Sequence, residues 1–183
     1  MGADKGLLQL PGGLPMILRT SGLVELVTRK PAEIVGGISS YQKMGLCLRH
    51  DEWPGAGPLG GIGTALRALE DTWAMIVACD LPYLTKDWLE FLIRRALASA
   101  ADAVLPVNVH GPEPLCAMYH KRCAPVVCAA LDRGIRKVTD CLSELHCERV
   151  APEESKRFDP EGLLLKNMNS PADYEEAKAR LGK

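Results

Sequence analysis

The sequence has no excess of charge of either sign: 22 lysines and arginines stand against 23 aspartates and glutamates. A nucleic-acid footprint needs a clustered basic face, so this balance speaks against a nucleic-acid partner. No apolar run approaches the roughly 18 residues that span a bilayer. Nor does the opening Met1-Gly2-Ala3-Asp4-Lys5 resemble a secretory signal. A cytoplasmic protein without a membrane partner is the expectation. Seven cysteines are present, yet none form a Cys-x-x-Cys pair. The group Cys116, His120, Cys123 therefore reads as thiols on a strand and the following turn rather than a zinc site. Cys79 and Cys128, inside apolar runs, read as small buried hydrophobes. Internal repeats, linkers and low-complexity segments are also lacking. What remains is 183 residues of ordinary composition, 47% hydrophobic and 25% charged, which suits one domain over residues 1–183.

Apolar runs of strand length alternate with amphipathic stretches. A helix is expected over residues 14–29, stopped by Pro31, and another over residues 59–69. Trp73-Ala74-Met75-Ile76-Val77-Ala78-Cys79 is continuous enough for a strand buried on both faces. Thr85 is placed to cap the next helix, with Asp87 in its first turn. Strands are expected at residues 33–37, 46–49, 103–107 and 115–119, and helices at residues 125–133 and 137–145. Ser170, Pro171 and Gly182 mark the start and end of a final helix. Strands alternating with helices predict an α/β fold with a mostly parallel sheet covered on both faces.

Two features carry chemistry. Gly55-Ala56-Gly57-Pro58-Leu59-Gly60-Gly61 is a glycine-rich loop opening a helix, where backbone approaches a base or phosphate closely and the helix end favours negative charge. Asp80, in Ala78-Cys79-Asp80-Leu81-Pro82, closes the apolar strand at the end where open α/β sheets bind ligands. A lone carboxylate there is suited to magnesium on triphosphate oxygens, although a turn before Pro82 would also use it. Lys5 can place a point charge on phosphates. Asp51, just past a strand, falls where ribose or base contacts occur, and equally reads as a loop carboxylate. Asn167 and Asn169 point the same way from an extended segment. Glu113 presents an acid at a strand start or serves a turn.

These segments, in this order, resemble molybdenum cofactor guanylyltransferases: Met1-Gly2-Ala3-Asp4-Lys5, Pro54 with the glycine loop, Ala78-Cys79-Asp80-Leu81-Pro82, Glu113-Pro114-Leu115-Cys116-Ala117 and Asn167-Met168-Asn169-Ser170-Pro171. The resemblance implies a Rossmann-like nucleotidyltransferase fold, Mg2+, GTP as donor and molybdopterin as acceptor, with molybdoenzyme maturation proteins as further candidate partners. By position, Lys5 would contact the GTP phosphates, and Gly36 and Asp51 the nucleotide. Gly57, Pro58, Leu59, Gly60 and Gly61 would shape the guanine pocket, and Asp80 would hold the metal. Glu113, Asn167 and Asn169 would serve the acceptor side.

Members of that family carry an apolar strand and a Leu-Ala-Gly-Gly-type loop before the segment that begins here at Met1. The expectation is that the first strand is missing and that Met1 is internal to a longer natural chain. The sequence as it stands would then bind GTP weakly, transfer little and aggregate through an opened sheet. Two other readings stay open: a cytidylyltransferase or sugar-phosphate nucleotidyltransferase on the same fold, and a non-catalytic module that holds the cofactor.

Overall fold

The apolar runs and stripes become elements in the order they occur. The computed structural model describes residues 4–182, so the Gly-Ala segment ahead of Asp4 lies outside them. A 3-10 turn at Lys5–Leu7 leads to helix α1 (Met16–Thr28), strand β1 (Glu33–Val35), helix α2 (Ser39–Lys43) and strand β2 (Cys47–Arg49). Helix α3 (Pro58–Arg67), strand β3 (Trp73–Val77), helix α4 (Lys86–Ala98) and strand β4 (Ala103–Asn108) follow. Then come β5 (Gly111–Pro112), β6 (Cys116–His120), α5 (Ala124–Asp132), α6 (Val138–Leu142), β7 (Cys147–Val150), α7 (Pro152–Ser155) and α8 (Pro171–Leu181). Thr85 caps α4 by accepting the Trp88 N–H. Ser170 caps α8 in a reciprocal box with Asp173, and Pro171 takes the first helical position.

Among the described residues the strands form two sheets. β1 and β2 pair in parallel. In the larger sheet β3, β6, β4 and β5 are successive antiparallel neighbours, and β7 joins β4 in parallel. The sheet is thus mixed, not mostly parallel as the alternation of strands and helices suggested. The cause is local. Only Val109 and His110 separate β4 from β5, and so short a connection can only reverse the chain. β6 then lies between β3 and β4, antiparallel to both.

Side chains alternate across the larger sheet. Ala103, Leu105, Ala117 and Tyr119 face a core completed by Leu59, Ile62 and Leu66 of α3 and by Val127 and Leu131 of α5. Val104, Cys116 and Met118 face the opposite core, built on Trp88, Leu89 and Leu92 of α4. Helices therefore cover both faces. Cys116 and Cys123 fall in different cores, with Cys116 Sγ accepting from Trp88 Nε1 at 3.4 Å, so the group with His120 does not converge. A third cluster joins Leu10, Met16, Met168 and Ala177 and so ties early to late segments. Among the described residues no helix is long and apolar enough to cross a membrane.

Close packing of α3 on α5 depends on Gly63, where a Cβ would lie 2.6 Å from Leu131 Cδ1 and 3.2 Å from the Trp53 ring. Gly63→Val is expected to lower stability by about 1–3 kcal/mol through overpacking. Gly61→Ala, which meets nothing within 4 Å, should be neutral or stabilising by up to about 1 kcal/mol. Urea unfolding of the two variants checks this; equal midpoints would mean that α3 and α5 are loosely packed.

Candidate active site

Asp80 lies just past the carboxyl end of β3. Its Oδ2 is 3.3 Å from Lys5 Nζ, and the same ammonium donates to Asn169 Oδ1 at 2.7 Å. Three segments far apart in the chain thus meet at one charge. The backbone fixes the meeting: the Met168 N–H donates to the Asp80 carbonyl at 2.9 Å, and Met168 is buried between the two asparagines. Alternation in an extended segment then turns Asn167 and Asn169 outward together. Asn169 reaches Lys5, whereas the Asn167 side chain makes no hydrogen bond among the described residues.

Lys5 is presented by a turn that Asp4 caps. Asp4 Oδ1 accepts the Gly6 N–H at 2.8 Å and the Tyr41 hydroxyl at 2.5 Å. Tyr41 is buried on α2, so close that a Cβ on Gly6 would sit 2.2 Å from its hydroxyl oxygen. Burial, then the Asp4 hydrogen bond and charge, raise the Tyr41 pKa far above its usual value. Burial and the charges of Asp80 and Asp4 push the neighbouring Cys79 thiol up to about 11. It is therefore neutral near pH 7 and unsuited to nucleophilic attack. Tyr41 had no signature in the sequence, because a tyrosine in a short polar helix is unremarkable until Asp4 is folded against it.

The Asp51 side is built separately. Asp51 Oδ1 accepts the Trp53 N–H at 3.0 Å and the Thr64 hydroxyl at 3.2 Å. Thr64 is fully buried and also accepts the Glu52 N–H at 3.0 Å, which latches the loop to α3. Facing Asp51 is Gly36, at φ 68, where a Cβ would come within 3.6 Å of Asp51 Cβ. Gly36, His50, Asp51, Pro54 and Gly55 line a cavity of about 390 Å³, within the range of small-molecule sites. Thr64, like Tyr41, escaped sequence reasoning: a threonine inside a helix gives no sign that it holds a loop.

The glycine loop does not act as one surface. Gly57 turns the chain at φ 65 just before Pro58 begins α3. Leu59, expected at the nucleotide, sends its side chain into the core at 1% exposure and has only its backbone to offer. Gly60 is held against the Trp53 carbonyl, where a Cβ would be 2.8 Å away; its smallness serves packing. Pro58 and Gly61 face a second, larger cleft, which shares Gly36, Gly37 and Arg49 with the Asp51 cavity. Glu113 Oε1 accepts from Asn108 Nδ2 at 2.5 Å. Burial raises its pKa against that hydrogen bond and the charge of His110, and the charge of Asp80 adds to the rise.

Among the described residues no three His, Cys, Asp or Glu side chains converge as a metal cage. Asp80 offers one hard oxygen donor, its Oδ1 free of hydrogen bonds among the described residues. That donor set fits a magnesium ion held chiefly by substrate phosphates and water.

A carboxylate and an ammonium held at the end of a strand, on an α/β sheet with a cavity nearby, suit a nucleotide and its metal. Residues 1–150 match the model of the MobA-like NTP transferase domain, and the chain belongs to that family. It is 33% identical to a probable molybdenum cofactor guanylyltransferase of Methanothermobacter thermautotrophicus, over 94% of this chain and 90% of the relative. It is 27% identical to a molybdenum cofactor guanylyltransferase of Desulfosudis oleivorans, over 92% and 83%. The crystal structure of molybdopterin-guanine dinucleotide biosynthesis protein A from Archaeoglobus fulgidus superposes with a TM-score of 0.81 at 26% identity, covering 98% of this chain and 91% of that one.

Removing the Tyr41 hydroxyl tests the turn that presents Lys5. Tyr41→Phe should cost about 1 kcal/mol at pH 8. The folded state raises this pKa above the unfolded value near 10. The tyrosine's contribution is therefore full below about pH 10 and is lost as pH rises further. Urea unfolding at pH 8 and pH 10.5 should show a gap between wild type and variant that narrows at the higher pH. A gap that widens would mean that Tyr41 is not held protonated by its surroundings.

Proposed function

We propose that the protein transfers GMP from GTP to molybdopterin, forming molybdopterin guanine dinucleotide and releasing pyrophosphate. The observation that carries this reading is the meeting of Lys5, Asp80 and Asn169 at the carboxyl end of β3, in a chain of a nucleotidyltransferase family. The names of its relatives supply the donor and acceptor.

In this reading a phosphate oxygen of molybdopterin attacks the α-phosphorus of GTP. A phosphorus–oxygen bond forms, the α–β anhydride bond breaks, and pyrophosphate departs. Both partners are anions, so the site must neutralise charge and align the attack. Lys5 supplies a compact positive charge, which on substrate binding exchanges a carboxylate oxygen for a phosphate oxygen. Gly36 and the latched Asp51 hold the nucleoside, with Gly57, Pro58 and Gly61 shaping its edge and Leu59 and Gly60 setting the loop from behind. Asn167, Asn169 and Glu113 face the acceptor. Magnesium held by Asp80 and the phosphates would neutralise the triphosphate as its charge shifts to the leaving group. The reaction belongs in the cytoplasm, where maturation proteins of molybdoenzymes would receive the product.

Asp80→Asn should lower turnover at least about a hundredfold if preorganised electrostatics dominates. Unchanged turnover would move the metal to another residue. GTP should bind at least about tenfold more tightly than CTP or UTP, a modest ratio for a site that hydrogen-bonds one base and not another. Preference for CTP would favour a cytidylyltransferase instead.

A further inference from the structure

The wall that β1 gives to the Asp51 cavity carries no side chains. β1 and β2 run in parallel with Val35 level with Arg49, so Gly36 and Gly37 leave one strand where His50 and Asp51 leave the other. All four line the cavity. Gly37 admits nothing larger, since a Cβ there would lie 2.9 Å from both Leu48 Cδ2 and Tyr41 Cδ2. A flat ring can lie against such a wall, and its edge is then read from the β2 side. We infer that His50 selects the base, its imidazole N–H donating to the O6 carbonyl of guanine. The inference rests on the reading of this cavity as the nucleoside site.

The side chains around the cavity leave one donor uncommitted. Leu48 and Pro54 have no polar group to offer. Arg49 closes its fork on Glu33, Nε to Oε2 at 2.5 Å and Nη2 to Oε1 at 2.8 Å. An ionised Asp51 only accepts, and its Oδ1 is taken by the Trp53 N–H and the Thr64 hydroxyl. His50 is exposed, and its imidazole has no hydrogen-bond partner among the described residues. It is also held in place, because Thr64 fixes the loop on its far side by accepting the Glu52 N–H at 3.0 Å. A donor on a fixed backbone at the cavity edge is placed to discriminate between bases.

The base chemistry decides what such a donor favours. Guanine presents acceptors at both O6 and N7, whereas adenine puts an amino donor where guanine has O6. An imidazole N–H there pairs with guanine and meets adenine donor against donor, so the wrong base is rejected as well as the right one held. The glycine wall cannot make this distinction, because it has no side chain to read an edge.

The test is calorimetric titration of the full chain with GTP and with ATP, each with magnesium. Being exposed, His50 can be replaced without disturbing the core. His50→Ala should weaken GTP binding roughly three- to tenfold, the worth of one hydrogen bond, and leave ATP within about twofold. His50→Gln, which keeps an N–H donor, should recover most of that loss, and His50→Phe, which keeps only a flat ring, should not. A loss shared equally by GTP and ATP, or recovery in His50→Phe, would make His50 a stacking surface and overturn the inference. Unchanged GTP affinity in His50→Ala would overturn it too, while leaving the nucleoside reading of the cavity intact. Binding of neither nucleotide by the wild type would overturn both.

Discussion

The ammonium of Lys5 is the constraint on which the candidate site depends. Asp80 is partly buried, its side chain 21% exposed, and a carboxylate there gains from a partner. Lys5 provides one, and reaches it only because Asp4 and Tyr41 hold the first turn in place. The contact with Asn169 brings in the last segment before α8, already anchored by Met168 in the small third core. One charge thus ties three chain segments together, and in the proposed reaction it would also set how phosphate is held. Loosening any of the three would shift the other two, which in the proposed reaction would spoil the alignment of attack.

The architecture explains why the charge stands where it does. β3, β4 and β6 are packed from both faces by alternating side chains, which makes them a rigid platform. Loops leaving the carboxyl ends of β1, β2 and β3 carry Gly36, Asp51 and Asp80 respectively. These loops are positioned by packing elsewhere: Thr64 under Asp51, and Trp53 between Gly60 and Gly63. Asp51 and Asp80 are partly buried, and Thr64 beneath Asp51 is fully buried.

Much of this was legible in the sequence, and what was not has physical causes. Asp80 stood out because it ends an apolar strand that follows a glycine-rich loop, and the caps at Thr85 and Ser170 follow from local hydrogen bonding alone. The mixed sheet was hidden because strand direction depends on which neighbour a hairpin finds. β7 was hidden because Glu148 and Arg149 interrupt its apolar run; Arg95 of α4 meets Glu148 at 2.8 Å only after folding. Leu59 illustrates the limit of motif reading, since a residue inside a glycine-rich loop can still face the core. Tyr41 and Thr64 act through contacts 37 and 13 residues away in sequence, which no local pattern records.

The most direct measurement is to incubate the full chain with GTP, magnesium and molybdopterin, and to quantify pyrophosphate alongside the mass of any new dinucleotide. GMP transfer predicts that both appear in equal amounts, and only when all three components are present. GTP recovered intact, or pyrophosphate formed without a molybdopterin adduct, would contradict it.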